Sequence, residues 1–239
     1  MSQRVRPGLE VLLEQELPRL GGAALGLVTN QTGVDHRLGP GAELLLAAGC
    51  RLMALFAPEH GLSGALAPGE AVATESHPRL GLPVYSLYKG EEANLAALLE
   101  DLDLILFDLQ DIGVRYFTYA ATLLQVLQAA ERAGIPVWVL DRPNPLTGRY
   151  LEGPVLETAL RSPVGVHELP VRHGLTLGEL ARLLQAEYRR PDGGRGLAVE
   201  VRVVPLAHWR RDQWYDQTGL IWVPPSPNAP NLDMAVLYP

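Results

Sequence analysis

One apolar run of this sequence ends in two residues that could carry out acid–base chemistry. Glu59 and His60 follow the run at 51–57 after Pro58, in the stretch LFAPEHGLSG. A carboxyl at the mouth of an apolar strand is partly desolvated, which suits it to donate a proton near neutral pH. Glu59 could instead cap a helix that starts near Leu62. His60 could be a partner of Glu59 or a hydrogen-bonded structural imidazole.

Three further apolar runs end in amides, carboxylates or an arginine. The polar residues in or after these runs are Asn30 and Gln31; Asp108, Asp111, Arg115 and Tyr116; and Asp141, Arg142 and Asn144. In open parallel sheets, ligands bind outside the carboxyl ends of the strands. We therefore predict that these residues and Glu59 surround one site.

Several of these residues also have a structural interpretation. Asp108 lies inside its run, where a buried acceptor for loop amides is favoured over catalysis. Asp141 and Arg142 are predicted to form an ion pair that orients the following loop. Asn144 could bind a ligand or close an Asx turn. For Asp111, catalytic and turn roles are balanced.

Two further residues are candidates because of their surroundings, and two residues named above form a chemically suitable pair. Glu152 in YLEGP and His173 in VRHGLT lie in predicted loops next to glycine. Arg115 and Tyr116 offer a cation beside an aromatic face, which suits a sugar ring or an acidic substituent. Packing at the start of a helix is the alternative for this pair.

The elements that must position these residues predict an α/β fold. Runs such as LILFDL and VWVL are apolar at successive positions, which is typical of strands covered on both faces in a parallel sheet. The predicted strands are 24–30, 51–57, 83–86, 104–109, 136–140 and 197–204, with a shorter one at 220–223. The predicted helices are 8–16, 40–48, 91–99, 119–133 and 176–188. Right-handed crossovers then give a Rossmann-like, doubly wound, mostly parallel sheet with helices on both faces.

Composition excludes several classes of function. The formal net charge is −7 with no Lys/Arg block, which argues against nucleic acid and anionic membranes as partners. The single cysteine, Cys50, allows no intrachain disulfide and no cysteine metal cluster. No run of ~18 apolar residues predicts a membrane span. The amino terminus lacks the apolar core of a signal peptide, so we expect a cytoplasmic protein unless an export signal has been removed.

Motifs exclude several chemistries as well. The LVTNQTGVD stretch has one glycine where a dinucleotide enzyme needs Gly-x-Gly-x-x-Gly, and neither a Walker loop nor a Gly-x-Ser-x-Gly elbow occurs. A metal-dependent hydrolase using Glu59, Asp108 and His173 is the runner-up, since these side chains are suitable ligands. No His-Glu-x-x-His motif marks such a site. Carboxyl acid–base chemistry without a cofactor or metal, as in glycoside hydrolysis, is the favoured interpretation.

Eight blocks of the sequence resemble, in order, a bacterial family of exo-acting β-N-acetylmuramidases, the NamZ-like proteins. They are GLVTNQTGVD, LFAPEHGL, GLPVYSLY, DLILFDLQDIGVRYFTY, VLDRPNPLTG, EGPVL, RHGLTLGELA and WVPPSPNAPN. The resemblance implies a Rossmann-like domain followed by a smaller one, with the active site in the cleft between them. It implies release of N-acetylmuramic acid from the non-reducing ends of peptidoglycan fragments.

The resemblance also implies roles for individual residues. Glu59 would be the catalytic acid, with His60 beside it. The matching blocks that would line the pocket contain Asn30, Gln31, Asp111, Arg115, Tyr116, Asn144, Glu152, His173 and Asn228. The second catalytic carboxyl would be Asp111, then Glu152, then Asp141 in order of preference. Arg115 is the candidate for the lactyl carboxylate.

Domain boundaries and activity follow from the same resemblance as expectations. We expect a catalytic domain over 1–223 and a proline-rich loop over 224–239 that leads to a truncated second domain. If the second domain supplies substrate contacts, the chain could fold yet bind weakly, and a non-catalytic sugar-binding module is a further alternative. The sequence does not determine the oligomeric state.

Overall fold

A seven-stranded sheet forms the centre of the protein. The computed structural model describes residues 3–66, 75–87 and 95–238. The strands are β1 (Ala24–Thr29), β2 (Arg51–Ala57), β3 (Glu75–Ser76), β4 (Pro83–Ser86), β5 (Leu104–Asp108), β6 (Val137–Leu140) and β7 (Val201–Val204). Their order is β3-β4-β2-β1-β5-β6-β7, and only the edge strand β3 is antiparallel to its neighbour. The predicted α/β sheet is confirmed.

Helices pack on both faces of this sheet. They are α1 (Gly8–Val11), α2 (Gly41–Ala47), α3 (Leu95–Leu98), α4 (Tyr119–Ala133), α5 (Leu177–Glu187) and α6 (Leu232–Leu237). After α1 the chain continues as a π-helix over Leu12–Glu16 and a 3₁₀ helix over Leu17–Leu20. Short 3₁₀ turns lie at Thr158–Leu160 and Tyr215–Gln217. No described helix is long and apolar enough to cross a bilayer.

Each face of the sheet has its own hydrophobic core. Phe56, Phe107 and Val139 pack against α4 and α5 on one face, whereas Leu27, Leu55 and Leu106 pack against α1 and α2 on the other. β1 and β5 are buried along their whole length. The continuous apolar runs of the sequence follow from this two-sided burial.

Most predicted elements are present, with a few differences. The strand predicted at 220–223 is wrong, because this segment is irregular, and β3 and α6 were not predicted. The predicted helix at 91–99 is observed over Leu95–Leu98, and residues 91–94 lie outside the described part of the chain. The domain boundary at residue 223 stays a prediction, and Ala229 beyond it is buried in the same core as α4.

Candidate functional site

The carboxyl ends of the central parallel strands place the predicted site residues along one edge of the sheet. Asn30 follows β1 directly, Glu59 follows β2 after one proline, Asp111 lies three residues beyond β5, and Asp141 follows β6. These four strands are neighbours in the sheet. The side chains nevertheless fall into distinct environments.

Glu59 is half-buried and is held by a single hydrogen bond. The hydroxyl of Thr118 donates to Glu59 Oε2 at 3.1 Å, whereas Oε1 has no hydrogen-bond partner among the described residues. Thr118 occupies the N-cap position of α4, but its side chain does not cap that helix. Glu59 does not cap a helix either, so its structural alternative is not observed. The result is a half-buried carboxyl that is oriented at one oxygen and has no partner at the other among the described residues.

His60 is buried beside Glu59 and both of its ring nitrogens have partners. Nδ1 lies 2.9 Å from the carbonyl oxygen of Leu66, and Nε2 lies 3.1 Å from Ser226 Oγ. The backbone of His60 has a φ of 72°, in the left-handed region. The geometry therefore matches the structural-imidazole alternative, and a catalytic role for His60 stays a prediction without a free ring nitrogen to support it.

Asn30 belongs to a network with Tyr119 at the start of α4. Asn30 Nδ2 lies 2.5 Å from the Tyr119 hydroxyl, which donates to the carbonyl oxygen of Pro225 at 2.6 Å. Asn30 Oδ1 accepts from both the amide and the hydroxyl of Thr32. Burial raises the pKa of Tyr119, and the negative charges of Asp111 and Glu59 raise it further.

Asp111 and His173 form a second buried pair at this edge. Asp111 Oδ2 accepts from the amide of Gly113 at 2.7 Å and lies 4.0 Å from His173 Nε2. Asp111 Oδ1 is buried without a hydrogen-bond partner in the described part of the chain. Burial raises the pKa of Asp111 to about 7 and lowers that of His173 to about 4. Near neutral pH, Asp111 therefore exchanges a proton while His173 stays neutral.

The protonation of His173 is fixed locally. Its Nδ1 accepts the amide hydrogen of Leu175 at 3.1 Å, so the ring hydrogen of the neutral form is on Nε2, the atom that faces Asp111. Both residues are buried. His173 is thus a donor toward Asp111 at a distance longer than a direct hydrogen bond.

Asp108 and Arg142 form a buried bidentate ion pair. Arg142 Nε and Nη2 lie 2.5 Å and 2.9 Å from the two oxygens of Asp108, and Nη2 also donates to the carbonyl oxygen of Val34. Asp108 is fully buried. The predicted Asp141–Arg142 ion pair is therefore wrong, because Arg142 reaches across to the neighbouring strand. Both oxygens of Asp108 are occupied by Arg142, whereas Arg142 Nη1 has no hydrogen-bond partner among the described residues. The substrate binding predicted for Asp108 and Arg142 stays a prediction.

Asp141 and Asn144 are used to hold the start of α5 and the loop before it. Asp141 Oδ2 accepts from Thr176 Oγ1 at 2.8 Å and Oδ1 from the amide of Gly178 at 2.9 Å. Thr176 forms the predicted capping box of α5 with Glu179. Asn144 donates to the carbonyl oxygen of Leu175, and its Oδ1 accepts the amide of Leu146 as in an Asx turn. Each of these side-chain oxygens already accepts a hydrogen bond from the protein, and the ligand contacts predicted for Asp141 and Asn144 stay predictions.

The remaining predicted residues lie toward the periphery. Arg115 is buried, and its Nη1 donates to the carbonyl oxygens of Pro154 and Leu169; its guanidinium also lies 5.3 Å from the ring centroid of exposed Tyr116. Glu152 is exposed and pairs with Arg172 at 2.5 Å. Asn228 is exposed. None of these contacts brings the residue to Glu59.

A cavity of about 710 Å³ lies beside the Glu59 turn, on the face of the sheet that carries α2. Its walls include Asn30, Gln31, Leu55, Leu62 and Val223. The volume falls in the range of about 300–1,000 Å³ that is usual for small-molecule sites. Glu59 is not among the lining residues, because its carboxyl is turned to Thr118 on the α4 side.

The sequence did not predict two residues that contact the site directly. Thr118 orients Glu59, and its position just before the predicted helix at 119–133 gave no sign of this contact. Ser226 contacts His60 from 166 residues away along the chain. The resemblance of the WVPPSPNAPN block to the family was the one available signal for Ser226.

The predicted metal-binding alternative is not supported by the arrangement of side chains. Among the described residues, no group of three or more His, Cys, Asp or Glu side chains is placed to hold a metal ion. Asp108, one of the three predicted ligands, is fully occupied by Arg142. The fold instead defines an α/β protein with candidate carboxyl groups along the carboxyl edge of its sheet, and Glu59 and Asp111 are not among the residues that line the 710 Å³ cavity.

Comparison with known proteins identifies the family. A family model described as "Exo-beta-N-acetylmuramidase NamZ, N-terminal" matches residues 25–233. The "Peptidoglycan beta-N-acetylmuramidase NamZ" of Bacillus subtilis (strain 168) is 38% identical over 237 residues, which are 99% of this chain and 56% of that protein. The chain belongs to the NamZ exo-β-N-acetylmuramidase family, and it spans about half the length of this curated relative.

Two solved structures share the fold. They are DUF1343 family proteins from Bacteroides fragilis NCTC 9343, called BF0371 and BF0379. BF0371 is 38% identical with a TM-score of 0.88, covering 98% of this chain and 58% of that one. BF0379 is 30% identical with a TM-score of 0.82, covering 99% and 60%. The family resemblance predicted from the sequence blocks is confirmed.

Proposed function

We propose that this protein is a glycoside hydrolase that releases N-acetylmuramic acid from the non-reducing ends of peptidoglycan fragments, with Glu59 as the proton donor. The observation that carries the proposal is the environment of Glu59 in a chain of this family. Its carboxyl is half-buried at the carboxyl end of β2, is oriented by Thr118, and keeps Oε1 without a partner among the described residues. The curated relative that is 38% identical is a peptidoglycan β-N-acetylmuramidase by name.

Glu59 would protonate the glycosidic oxygen as the bond to the leaving group breaks. Glycosidases use a pair of carboxyl groups around a transition state that resembles an oxocarbenium ion. Because the Thr118 hydroxyl holds Oε2, Oε1 would carry the transferred proton. Binding the sugar would remove the remaining water from around this oxygen.

Asp111 is the best-supported second carboxyl. Of the three candidates, Asp141 is used by α5 and Glu152 forms an exposed ion pair with Arg172. Asp111 keeps Oδ1 unpartnered, and its negative charge acts on Tyr119 together with that of Glu59. In its ionised form it would activate water or attack the anomeric carbon.

The opposite assignment, with Asp111 as proton donor and Glu59 as base or nucleophile, has one observation in its favour. Burial raises the pKa of Asp111 to about 7, and a carboxyl that keeps its proton near neutrality is typical of a general acid. We favour Glu59 as donor because its carboxyl is the more accessible of the two. The two assignments differ in how each variant responds to the leaving group.

The test compares two substrates for the wild type and for Glu59→Gln and Asp111→Asn. One substrate is a 4-nitrophenyl glycoside of N-acetylmuramic acid, whose leaving group needs little protonation. The other is a disaccharide of N-acetylmuramic acid and N-acetylglucosamine, whose leaving group needs a proton. Removing the proton donor lowers kcat/KM far more for the disaccharide, by an additional ~10²-fold or more.

Each outcome assigns a role. A selective loss on the disaccharide in Glu59→Gln, with loss on both substrates in Asp111→Asn, supports the proposed assignment. The reverse pattern supports the exchanged roles. Normal turnover of both substrates by Glu59→Gln would refute a catalytic Glu59. Binding of N-acetylmuramic acid without turnover of either substrate by the wild type would instead make this chain a sugar-binding module.

A further inference from the structure

The segment Pro224–Ser226 crosses the carboxyl edge of the sheet and is held there by three side chains, one after β1, one after β2 and one at the start of α4. Gln31 Nε2 donates to the carbonyl oxygen of Pro224 at 2.8 Å, and the Tyr119 hydroxyl donates to that of Pro225 at 2.6 Å. Ser226 Oγ contacts His60 Nε2 at 3.1 Å. We call Pro224–Ser226 the strap.

The strap contact at His60 has a defined direction. The Leu66 carbonyl oxygen can only accept, so the hydrogen of the neutral imidazole is on Nδ1. Nε2 is then an acceptor, and the Ser226 hydroxyl donates to it. The amide of Asn228 completes the chain by donating to Ser226 Oγ at 3.1 Å. His60 is buried and uses both nitrogens, so it has no free site to exchange a proton with a substrate.

His60 occupies a position in the backbone where a side chain other than Gly or Asn is unusual. The amide of Gly61 donates to the carbonyl oxygen of Pro58 at 3.1 Å, which closes a tight turn with Glu59 and His60 at its two central positions. His60 has a φ of 72°, and turns with positive φ at the third position normally have Gly or Asn there. A histidine is retained in this conformation because its ring is fixed at both ends.

The same turn sets the direction of the Glu59 side chain. Glu59 and His60 share a peptide group, so a rotation of the His60 backbone tilts the plane from which Glu59 extends. Thr118 restrains only Oε2 of that long side chain. The position of the carboxyl therefore depends on the turn, and the turn depends on the ring of His60.

We propose that Ser226, acting through His60, is a positioning residue that fixes the Glu59 turn, and that the strap couples the carboxyl ends of β1 and β2 at the site. This inference rests on the proposed function for its kinetic consequence, although its structural consequence can be measured separately. Tyr119 contacts both Asn30, which follows β1, and the carbonyl oxygen of Pro225 in the strap. The ends of β1 and β2 are therefore both connected to the strap.

The test uses Ser226→Ala, which removes the hydroxyl that holds Nε2. We expect kcat to fall about tenfold to 100-fold with KM changed less than about twofold, the scale that a ~1 Å misplacement of a reacting group can reach. The backbone order parameter of Glu59 should fall from the rigid value of about 0.85 toward ~0.6. A ¹H–¹⁵N spectrum of the His60 ring should show the hydrogen on Nδ1 in the wild type.

Two further variants separate positioning from a general loss of structure. Ser162→Ala makes the same change at an exposed turn, and kcat and the order parameter of Glu59 should equal those of the wild type. His60→Asn keeps a residue that tolerates positive φ but does not reproduce both ring contacts, so it should fold and show the same defect as Ser226→Ala.

The outcomes distinguish this inference from the proposed function. Wild-type kcat in Ser226→Ala, or an unchanged Glu59 order parameter in a folded Ser226→Ala protein, overturns the inference. Absence of turnover in the wild type would contradict the proposed function of this chain. The backbone order parameters of Glu59 in the wild type and in Ser226→Ala would then test the positioning role alone. Loss of kcat in Ser226→Ala with a rigid Glu59 means that Ser226 acts by another route, which also contradicts it.

Discussion

Two groups of carboxylates lie at the same edge of the sheet in different states. Asp108 and Asp141 are buried, and every oxygen of their side chains accepts a hydrogen bond from Arg142, Thr176 or Gly178. Glu59 and Asp111 each keep one oxygen without a partner among the described residues. An acid at a strand end therefore becomes structural or available depending on which donors the neighbouring loops bring to it.

The largest effect should come from breaking the satisfied group at Asp108. Asp108→Asn leaves Arg142 as a buried cation without its counter-charge, so the free energy of unfolding should fall by about 3–5 kcal/mol. Urea denaturation measures this change. As a control, Glu187→Gln removes the exposed ion pair with Arg195 and should change stability by less than about 1 kcal/mol. Equal effects of the two variants would contradict the structural role of Asp108.

The next effect should be a pH dependence from Asp111. The folded state raises its pKa to about 7, above the usual value near 3.9, so folding favours the protonated form. This contribution is fully present below about pH 4 and is lost as the pH rises through about 7. The wild type should therefore lose up to a few kcal/mol of stability relative to Asp111→Asn between pH 4 and pH 8.

Urea denaturation of both proteins at several pH values checks this prediction. Asp101→Asn, at an exposed position, is the matched control and should stay parallel to the wild type across the range. Parallel curves for Asp111→Asn and the wild type would show that Asp111 does not titrate as its burial implies.

A smaller effect should follow from the capping box that Asp141 supports. Thr176→Ala removes the side-chain oxygen that accepts the Glu179 amide and the hydroxyl that donates to Asp141. The free energy of unfolding should fall by about 1 kcal/mol, the usual value for an N-cap. Thr176→Ser keeps both interactions and should remain near the wild type in the same denaturation experiment.

The smallest stability effect is expected at Glu152. Its pair with Arg172 is exposed on the carboxylate side, so Glu152→Gln should change the free energy of unfolding by less than about 1 kcal/mol. Turnover of the disaccharide by Glu152→Gln is measured as well, because it tests whether Glu152 has a catalytic role. Abolished turnover at unchanged stability would give Glu152, rather than Asp111, the role of the second carboxyl.

The sequence predicted the frame of the site well, because strands buried on both faces need continuous apolar runs. It could not predict how polar side chains pair across the edge. The Asp108–Arg142 pair joins neighbouring strands that are 34 residues apart in the sequence, and the adjacent Asp141 looked like the simpler partner. Ser226 and His60 are 166 residues apart in the sequence, and their contact depends on the path of an irregular loop.

For Glu59, the sequence predicted the position of the residue but not the hydrogen bond that orients its side chain. Its place after an apolar strand and a proline predicted a carboxyl at the mouth of the site, and the structure places Glu59 at the carboxyl end of β2. The hydroxyl that orients it comes from Thr118, a residue that the sequence analysis did not select. Side-chain direction at a helix start is decided by tertiary contacts, which propensity does not encode.

The most direct test of the account measures turnover and unfolding side by side for Glu59→Gln and Asp108→Asn. Glu59→Gln should lose turnover of the disaccharide and unfold like the wild type, because Glu59 contributes one hydrogen bond to the fold. Asp108→Asn should lose stability and keep its turnover per folded molecule. Wild-type turnover in Glu59→Gln, or loss of turnover in fully folded Asp108→Asn, would contradict the division between the two groups of carboxylates.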